Sequence, residues 1–254
     1  MKALSLSQAH SPRPKADSRR GARRNQALAE KWLDGWTVVF DLDGTLVDTA
    51  PDLLGALNHV LEHAGLEPVT LDLVATMIGH GARAMIQKGL RYRGIEPDDH
   101  QLQAYFDRFL VYYSDHIAEG SRPFDQAEEI LDQLATAGAL LAVCTNKTQV
   151  LTDRLLDELD LSQRFAAIMG SDSVPSKKPD GDHIVRTVVA AGGDPARAIM
   201  VGDSRTDERA ARNAGLPFVF LPFGYEQESV EAIGADAVVT HYSLLPSALS
   251  RFVN

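Results

Sequence analysis

Cysteine is almost missing from this chain: Cys144 is the only one among 254 residues. One thiol excludes an internal disulfide and a thiolate zinc site, and it points to the cell interior. Long hydrophobic runs are missing as well. No apolar stretch approaches the roughly 20 residues needed to cross a bilayer, so no membrane partner is expected and the expected location is cytoplasmic. Positive charge is scarce, with 25 Lys and Arg against 35 Asp and Glu and a net charge of −10. An acidic body argues against nucleic acid as the main partner.

The basic residues that are present crowd at the N-terminus. Residues 1–34 hold eight (Lys2, Arg13, Lys15, Arg19, Arg20, Arg23, Arg24 and Lys31) against Asp17, Glu30 and Asp34. The remainder is therefore more acidic than the whole chain. This Ser- and Arg-rich segment is expected to be a solvated, disordered tail, with an organellar presequence as the alternative. Hydrophobic residues make up 44% of the chain, enough for an ordinary globular core. The length fits one large domain, or a core domain with a smaller companion.

From Trp36 onward, short apolar runs alternate with helical patterns. WTVVF (36–40) is followed by ALLAVCT (139–145), AAIMG (166–170), AIMVGD (198–203), FVFL (218–221) and AVVT (237–240). Between them lie AEEILDQLATAG (127–138), TQVLTDRLLDELD (148–160) and HIVRTVVAAGG (183–193). Continuous apolar strands separated by helices predict an α/β fold, a doubly wound and mostly parallel sheet covered on both faces. Ligands of such folds sit beyond the carboxyl ends of the strands.

One segment breaks the alternation. No strand is predicted between Ala50 and Ser121, where three helical stretches occur (51–65, 71–90 and 98–120). The expected organisation is a core at 35–50 and 122–254 with a helical cap inserted at 51–121.

The polar residues fall at the predicted strand ends. Asp41 and Asp43 follow the first strand, Thr145 and Asn146 the second, the Lys177-Lys178 pair the third, and Asp203 and Asp207 the fourth. Asp41 and Asp43 are two positions apart, so on extended backbone both face the same way. Carboxylates held that close repel unless a cation intervenes. A hard ion such as Mg²⁺, with oxygen ligands, resolves the conflict. Each feature also has a plainer reading. Asp43-Gly44 is a common turn signal, Asp203 or Ser204 could cap a helix, Thr145 and Asn146 could cap another, and Lys178 could be a surface lysine. Four strand ends carrying such a set together are what favours a site.

The order DLDGTLVDT, TNK, KKPD, VGDSRTD, with a helical insertion after the first, resembles the haloacid dehalogenase superfamily, and within it the phosphoglycolate phosphatase branch. The likeness covers residue 36 to the C-terminus. It implies a Mg²⁺-dependent phosphatase acting on a small phosphorylated metabolite, 2-phosphoglycolate first. The alternatives are a phosphatase or phosphomutase for a nucleotide, sugar phosphate or pyrophosphate, or a relative that only binds a phosphorylated ligand. It implies Asp41 as nucleophile, and Asp43 as general acid with its carbonyl on the metal. It implies Asp203 as a further metal ligand and Asp207 as a supporting one. The Thr145 hydroxyl, the Asn146 backbone amide and the turn at Gly44 would hold the phosphoryl group, with Lys178 balancing charge on Asp41 and on that group. An acid at Asp43 favours phosphate esters over carbon–halogen substrates.

Two places depart from the branch: PFDQ (Pro123–Gln126) stands where Pro-Gly is usual, and Gly181 replaces a proline. In the insertion, IGHGARAMI (78–86) offers His80 and Arg83 as cations for a substrate carboxylate, against the reading of a helix start with a solvent-facing arginine. Cys144 reads as a core residue. His59, His63 and His116 read as surface or packing residues of the insertion, and the helically spaced group Tyr105, Phe106, Phe109, Tyr112 and Tyr113 as its core. Asp48 has no assigned role.

Overall fold

The computed structural model describes residues 31–79 and 81–253. His80 and most of the expected tail lie outside them. The tail was expected to reach residue 34, yet Leu33 is fully buried and its amide donates to Ala137 O at 3.0 Å. An apolar side chain that can reach the core sits there whatever the charge of its neighbours.

Six strands form one parallel sheet: β1 (Thr37–Phe40), β4 (Leu140–Cys144), β5 (Ala167–Met169), β6 (Ala198–Gly202), β7 (Phe218–Phe220) and β8 (Ala237–Val238), in the order β5-β4-β1-β6-β7-β8. Alternate residues of each strand feed opposite faces. Val38, Phe40, Leu141, Val143, Ile199 and Val201 join one apolar cluster. Val39, Ala142, Cys144 and Met200 join the other, against Ile184, Val188, Ala210 and Ala211. This two-sided burial is why the strands read as unbroken apolar runs.

Between β2 (Val47–Asp48) and β3 (Arg122–Pro123) the chain is helical: α1 (Ala50–His63), α2 (Leu71–Ala75), α3 (Ala82–Tyr92) and α4 (Asp99–Asp115). The stretch 71–90, expected as one helix, is broken between α2 and α3. Gly79 (φ 97°) and Gly81 (φ 91°) take left-handed backbone there, which a helix cannot continue through. β2 and β3 pair antiparallel, Val47 with Pro123 and Asp48 with Arg122, and mark the way in and out of the insertion. Asp52, buried at the start of α1, accepts from Gly120 N, Ser121 N and Ser121 Oγ at 2.6–2.8 Å and fastens the two ends together. Among the described residues no helix is long and apolar enough to cross a membrane.

The remaining helices, α5 (Ala127–Thr136), α6 (Gln149–Glu158), α7 (Gly181–Ala190), α8 (Arg205–Ala214), α9 (Val230–Ile233) and α10 (Leu245–Leu249), complete the core. Where the sequence has PFDQ, Gln126 is left-handed (φ 62°) immediately before α5. Glycine would take that conformation without the cost of about 1–2 kcal/mol that a Cβ brings.

Candidate active site

The register of the sheet brings the motifs together. Phe40 is level with Val143 on one side and Val201 on the other, so the chain leaves β1, β4 and β6 along one rim. Asp41 follows β1, Thr145 follows β4, and Asp203 follows β6. Asp41 N still donates to Val201 O at 3.0 Å, which carries the ladder one residue past the strand.

Asp41, Asp203 and Asp207 form a buried cluster, each with a carboxylate oxygen within 4.8 Å of the others. Lys178 enters it from the loop before α7. Its ammonium is 2.8 Å from Asp41 Oδ1 and 2.6 Å from Asp207 Oδ1, and its side chain is 1% exposed. The surface-lysine reading of Lys178 is thereby excluded. Burial pushes the Asp41 carboxyl up to about 7, with Lys178 pulling it back and Asp207 adding to the rise. Burial, then Asp207 and Asp41, also pushes Asp203 well above the usual carboxylate range. Burial alone would lower Lys178, but Asp207 and Asp41 hold it above its ordinary value.

Asp207 does two jobs. One oxygen takes Lys178, while the other accepts from Ser204 N and Ser204 Oγ at 3.1 and 2.6 Å, closing a capping box on α8. The helix-cap reading of Ser204 therefore holds, and the carboxylate that completes the cap is also part of the buried cluster. Asp203 Oδ1 accepts from Thr45 Oγ1 and Oδ2 from Tyr225 N, both at 2.8 Å. The turn after β1 carries Gly44 at φ 85°, and a Cβ there would lie 2.4 Å from Asp203 Oδ2. A glycine is what lets the turn lie against that carboxylate.

Asp43 points elsewhere. Its Oδ1 accepts from Thr49 Oγ1 at 2.8 Å and from Lys147 Nζ at 2.7 Å, and its Oδ2 lies 3.1 Å from the same ammonium. Lys147 also donates to the hydroxyl of Tyr113 on α4 at 3.0 Å. Burial opposes its charge, yet Asp43 and Tyr113 hold it above the ordinary lysine value. Burial pushes the Tyr113 hydroxyl up to about 12.

Sequence reasoning missed Lys147. It stands in the quoted TNK motif, but nothing in a lone lysine says that it is buried. The aromatic group was read as packing; Phe109 fits that reading, while Tyr113 sends its hydroxyl to the rim. Asp48, left without a role, accepts from Tyr225 Oη at 2.7 Å. The same hydroxyl accepts from Thr49 N and Ala50 N, at 2.7 and 2.9 Å. Tyr225 thus ties Asp203 to the entry into α1.

A cavity of about 520 Å³ lies between the rim and the insertion, lined by Asp41, Asp43, Thr145, Asn146 and Lys147 on the rim side and by Gly81, Arg83, Phe106 and Tyr113 on the side of the insertion. Thr145 is buried, and its Oγ1 accepts from Lys147 N at 3.1 Å. Asn146 Nδ2 donates to Lys178 O at 3.1 Å. Arg83 lines the cavity, but its Nη1 donates to Gln103 at 2.5 Å and its guanidinium sits 5.8 Å from the Phe106 ring. Cys144 lies under the sheet rim with its thiol pushed up to about 12 by burial, as fits a core residue. His59 and His116 stack on either side of Tyr112, at 4.4 and 4.0 Å.

Comparison with known proteins gives this geometry a family. The family model described as haloacid dehalogenase-like hydrolase matches residues 38–221. A phosphoglycolate phosphatase of Caulobacter vibrioides is 49% identical over 216 residues, covering 85% of this chain and 91% of that protein. One from Agrobacterium fabrum is 44% identical over 211 residues, covering 83% and 91%. Among solved structures, a predicted phosphoglycolate phosphatase from Haemophilus somnus superimposes with a TM-score of 0.79 at 28% identity, covering 85% of this chain and 97% of that one. The chain belongs to the haloacid dehalogenase-like hydrolase family.

Proposed function

We propose that this protein hydrolyses a small phosphate monoester, 2-phosphoglycolate, to glycolate and phosphate through an aspartyl-phosphate on Asp41. The observation that carries this reading is the buried cluster of Asp41, Asp203 and Asp207 around Lys178, opening into a cavity that Asp43 also lines. The names of the relatives at 49% and 44% identity support the substrate.

The donor set fits a divalent cation: three buried carboxylates face one ammonium, and all the ligand atoms are hard oxygens. Asp41, Asp203 and the carbonyl of Asp43 would hold Mg²⁺, with Asp207 supporting the cluster because both its oxygens already have partners. Bound there, Mg²⁺ supplies charge stabilisation for a transferring phosphoryl group.

The chain's own groups do the rest. Asp41 attacks phosphorus as the carboxylate. Lys178 offsets charge on Asp41 and on the phosphoryl oxygens. Thr145 Oγ1, the Asn146 backbone amide and the turn at Gly44 hold those oxygens. Asp43 gives a proton to the leaving oxygen and later takes one from the water that resolves the aspartyl-phosphate. The helical insertion at 51–121 acts as a cap that keeps bulk water from the intermediate.

The test is hydrolysis of a panel of phosphorylated metabolites with Mg²⁺, compared by kcat/KM. 2-Phosphoglycolate is expected among the best substrates, with activity lost on chelation and lowered at least 10⁴-fold, to order of magnitude, in Asp41→Asn. Equal activity in Asp41→Asn would sink the mechanism. A poor rank for 2-phosphoglycolate would sink the substrate and leave the reaction class.

A further inference from the structure

We propose that Lys147 is the cation that reads the substrate's carboxylate, displacing one of its contacts with Asp43 when a carboxylate-bearing ester binds. The inference rests on the substrate reading above and assigns its recognition to one residue.

Lys147 is within reach of the substrate's carboxylate. Asp43 must approach the leaving oxygen to within about 3 Å to protonate it. Lys147 Nζ is 2.7 Å from Asp43 Oδ1 and 3.1 Å from Oδ2. The ammonium therefore lies no farther than roughly 6 Å from the ester oxygen. In 2-phosphoglycolate a single methylene separates that oxygen from the carboxyl carbon, so the carboxylate oxygens sit roughly 3–4 Å from it at ordinary bond lengths. A carboxylate at that distance comes within contact of Lys147 while its phosphoryl group stays over Asp41.

The donors match as well. An ammonium has three N–H groups, and two of Lys147's contacts fall on the same carboxylate, the longer at 3.1 Å. That longer contact is the one a second carboxylate can replace without leaving Asp43 unheld. Tyr113 accepts from Lys147 at 3.0 Å and keeps its own proton to donate, so a hydroxyl and an ammonium converge on one spot of the cavity wall. The Lys147 side chain is 5% exposed, which strengthens a charge contact relative to one in water.

The other cations near the cavity are differently placed. Lys178 is committed to Asp41 and Asp207. Lys177 is exposed. Arg83 is taken up by Gln103 and lies over Phe106. An ester without the carboxylate would find Lys147 paired with Asp43 and would gain nothing from it.

The test compares kcat/KM for 2-phosphoglycolate and for ethyl phosphate, which shares the phosphoryl group and lacks the carboxylate, in the wild type, Lys147→Met and Lys147→Arg. Lys147→Met is expected to reduce the ratio of the two values by about 10- to 100-fold, the scale of one charge-assisted hydrogen bond, and Lys147→Arg to restore part of it. A residue that only positions Asp43 would lower both substrates equally and leave the ratio unchanged. That result overturns the inference, as does a ratio that collapses in Arg83→Met while surviving Lys147→Met.

A second measurement needs no variant. 3-Phosphooxypropionate, one methylene longer, carries its carboxylate past the Lys147–Tyr113 spot and should fall at least about tenfold in kcat/KM; equal values overturn the inference. If the wild type itself shows no preference for 2-phosphoglycolate over ethyl phosphate, the substrate reading fails and the inference with it. A wild-type preference that survives Lys147→Met removes the inference alone.

Discussion

Replacing Lys178 with Met tests how the acidic cluster is held together. The ammonium lies 2.8 Å from Asp41 and 2.6 Å from Asp207, on a side chain only 1% exposed. Removing one partner of a buried ion pair leaves the other charge uncompensated, at a cost of about 3–5 kcal/mol. Met keeps the length of the stem, so little of that loss comes from a cavity. The loss should depend on pH. Burial holds the Asp41 carboxyl at about 7, above its ordinary 3.8, so the native state binds this proton more tightly than the unfolded state. A group of that kind favours the native state at low pH, and its contribution is lost as the pH rises from about 4 through 7. Lys178 is the group that pulls Asp41 down, so without it the window extends upward. The deficit of the variant should therefore be largest above pH 7 and shrink toward pH 5. Urea unfolding in EDTA at pH 5, 7 and 8 measures it. Mg²⁺ should then stabilise the variant more than the wild type, since a ligand that binds only the native state at a hundred times its Kd adds about 2.7 kcal/mol. A deficit below about 1 kcal/mol at pH 8, or one of equal size at all three pH values, would refute the account of a charge-balanced buried cluster.

Gly44→Ala should lower stability by about 2 kcal/mol, combining the left-handed backbone with overpacking, because its Cβ would meet Asp203 Oδ2 at 2.4 Å and Tyr225 at 2.7 Å. The Mg²⁺ concentration for half-maximal activity should rise about tenfold as Asp203 is displaced; an unchanged value would show that the carboxylate is not held by this turn. Tyr225→Phe leaves the amides of Thr49 and Ala50 and the carboxylate of Asp48 without their shared hydroxyl. It should cost about 1–3 kcal/mol and speed hydrogen exchange at those two amides, and unchanged exchange would remove Tyr225 as the tie between the rim and the insertion.

The legibility of this protein follows its burial pattern. β1, β4 and β6 could be read because a strand covered on both faces must be apolar along its whole length, and TVVF, LLAVC and AIMVG are. The pair β2 and β3 could not, because two residues each carry no periodicity. The helix break between α2 and α3 was signalled by Gly79 and Gly81, yet isolated glycines are also tolerated inside helices. Asp41 and Asp203 were legible because carboxylates crowded at strand ends call for a cation, and Lys178 joined them through the resemblance.

The sequence by itself determined the sheet, the helical insertion and the acidic rim, since these depend on local hydrophobicity and on spacing along one strand. Only the tertiary structure decided that Lys147 pairs with Asp43 and that Lys178 also holds Asp207. Lys178 lies 137 residues from Asp41 and Lys147 lies 104 from Asp43, and nothing in the local sequence around either lysine says that folding takes it out of water. Tyr225, which joins Asp203 to Asp48, is 177 residues from the latter. Charge pairing in a buried site is set by distances of a few ångströms, and those exist only once the strand ends have been brought to one rim.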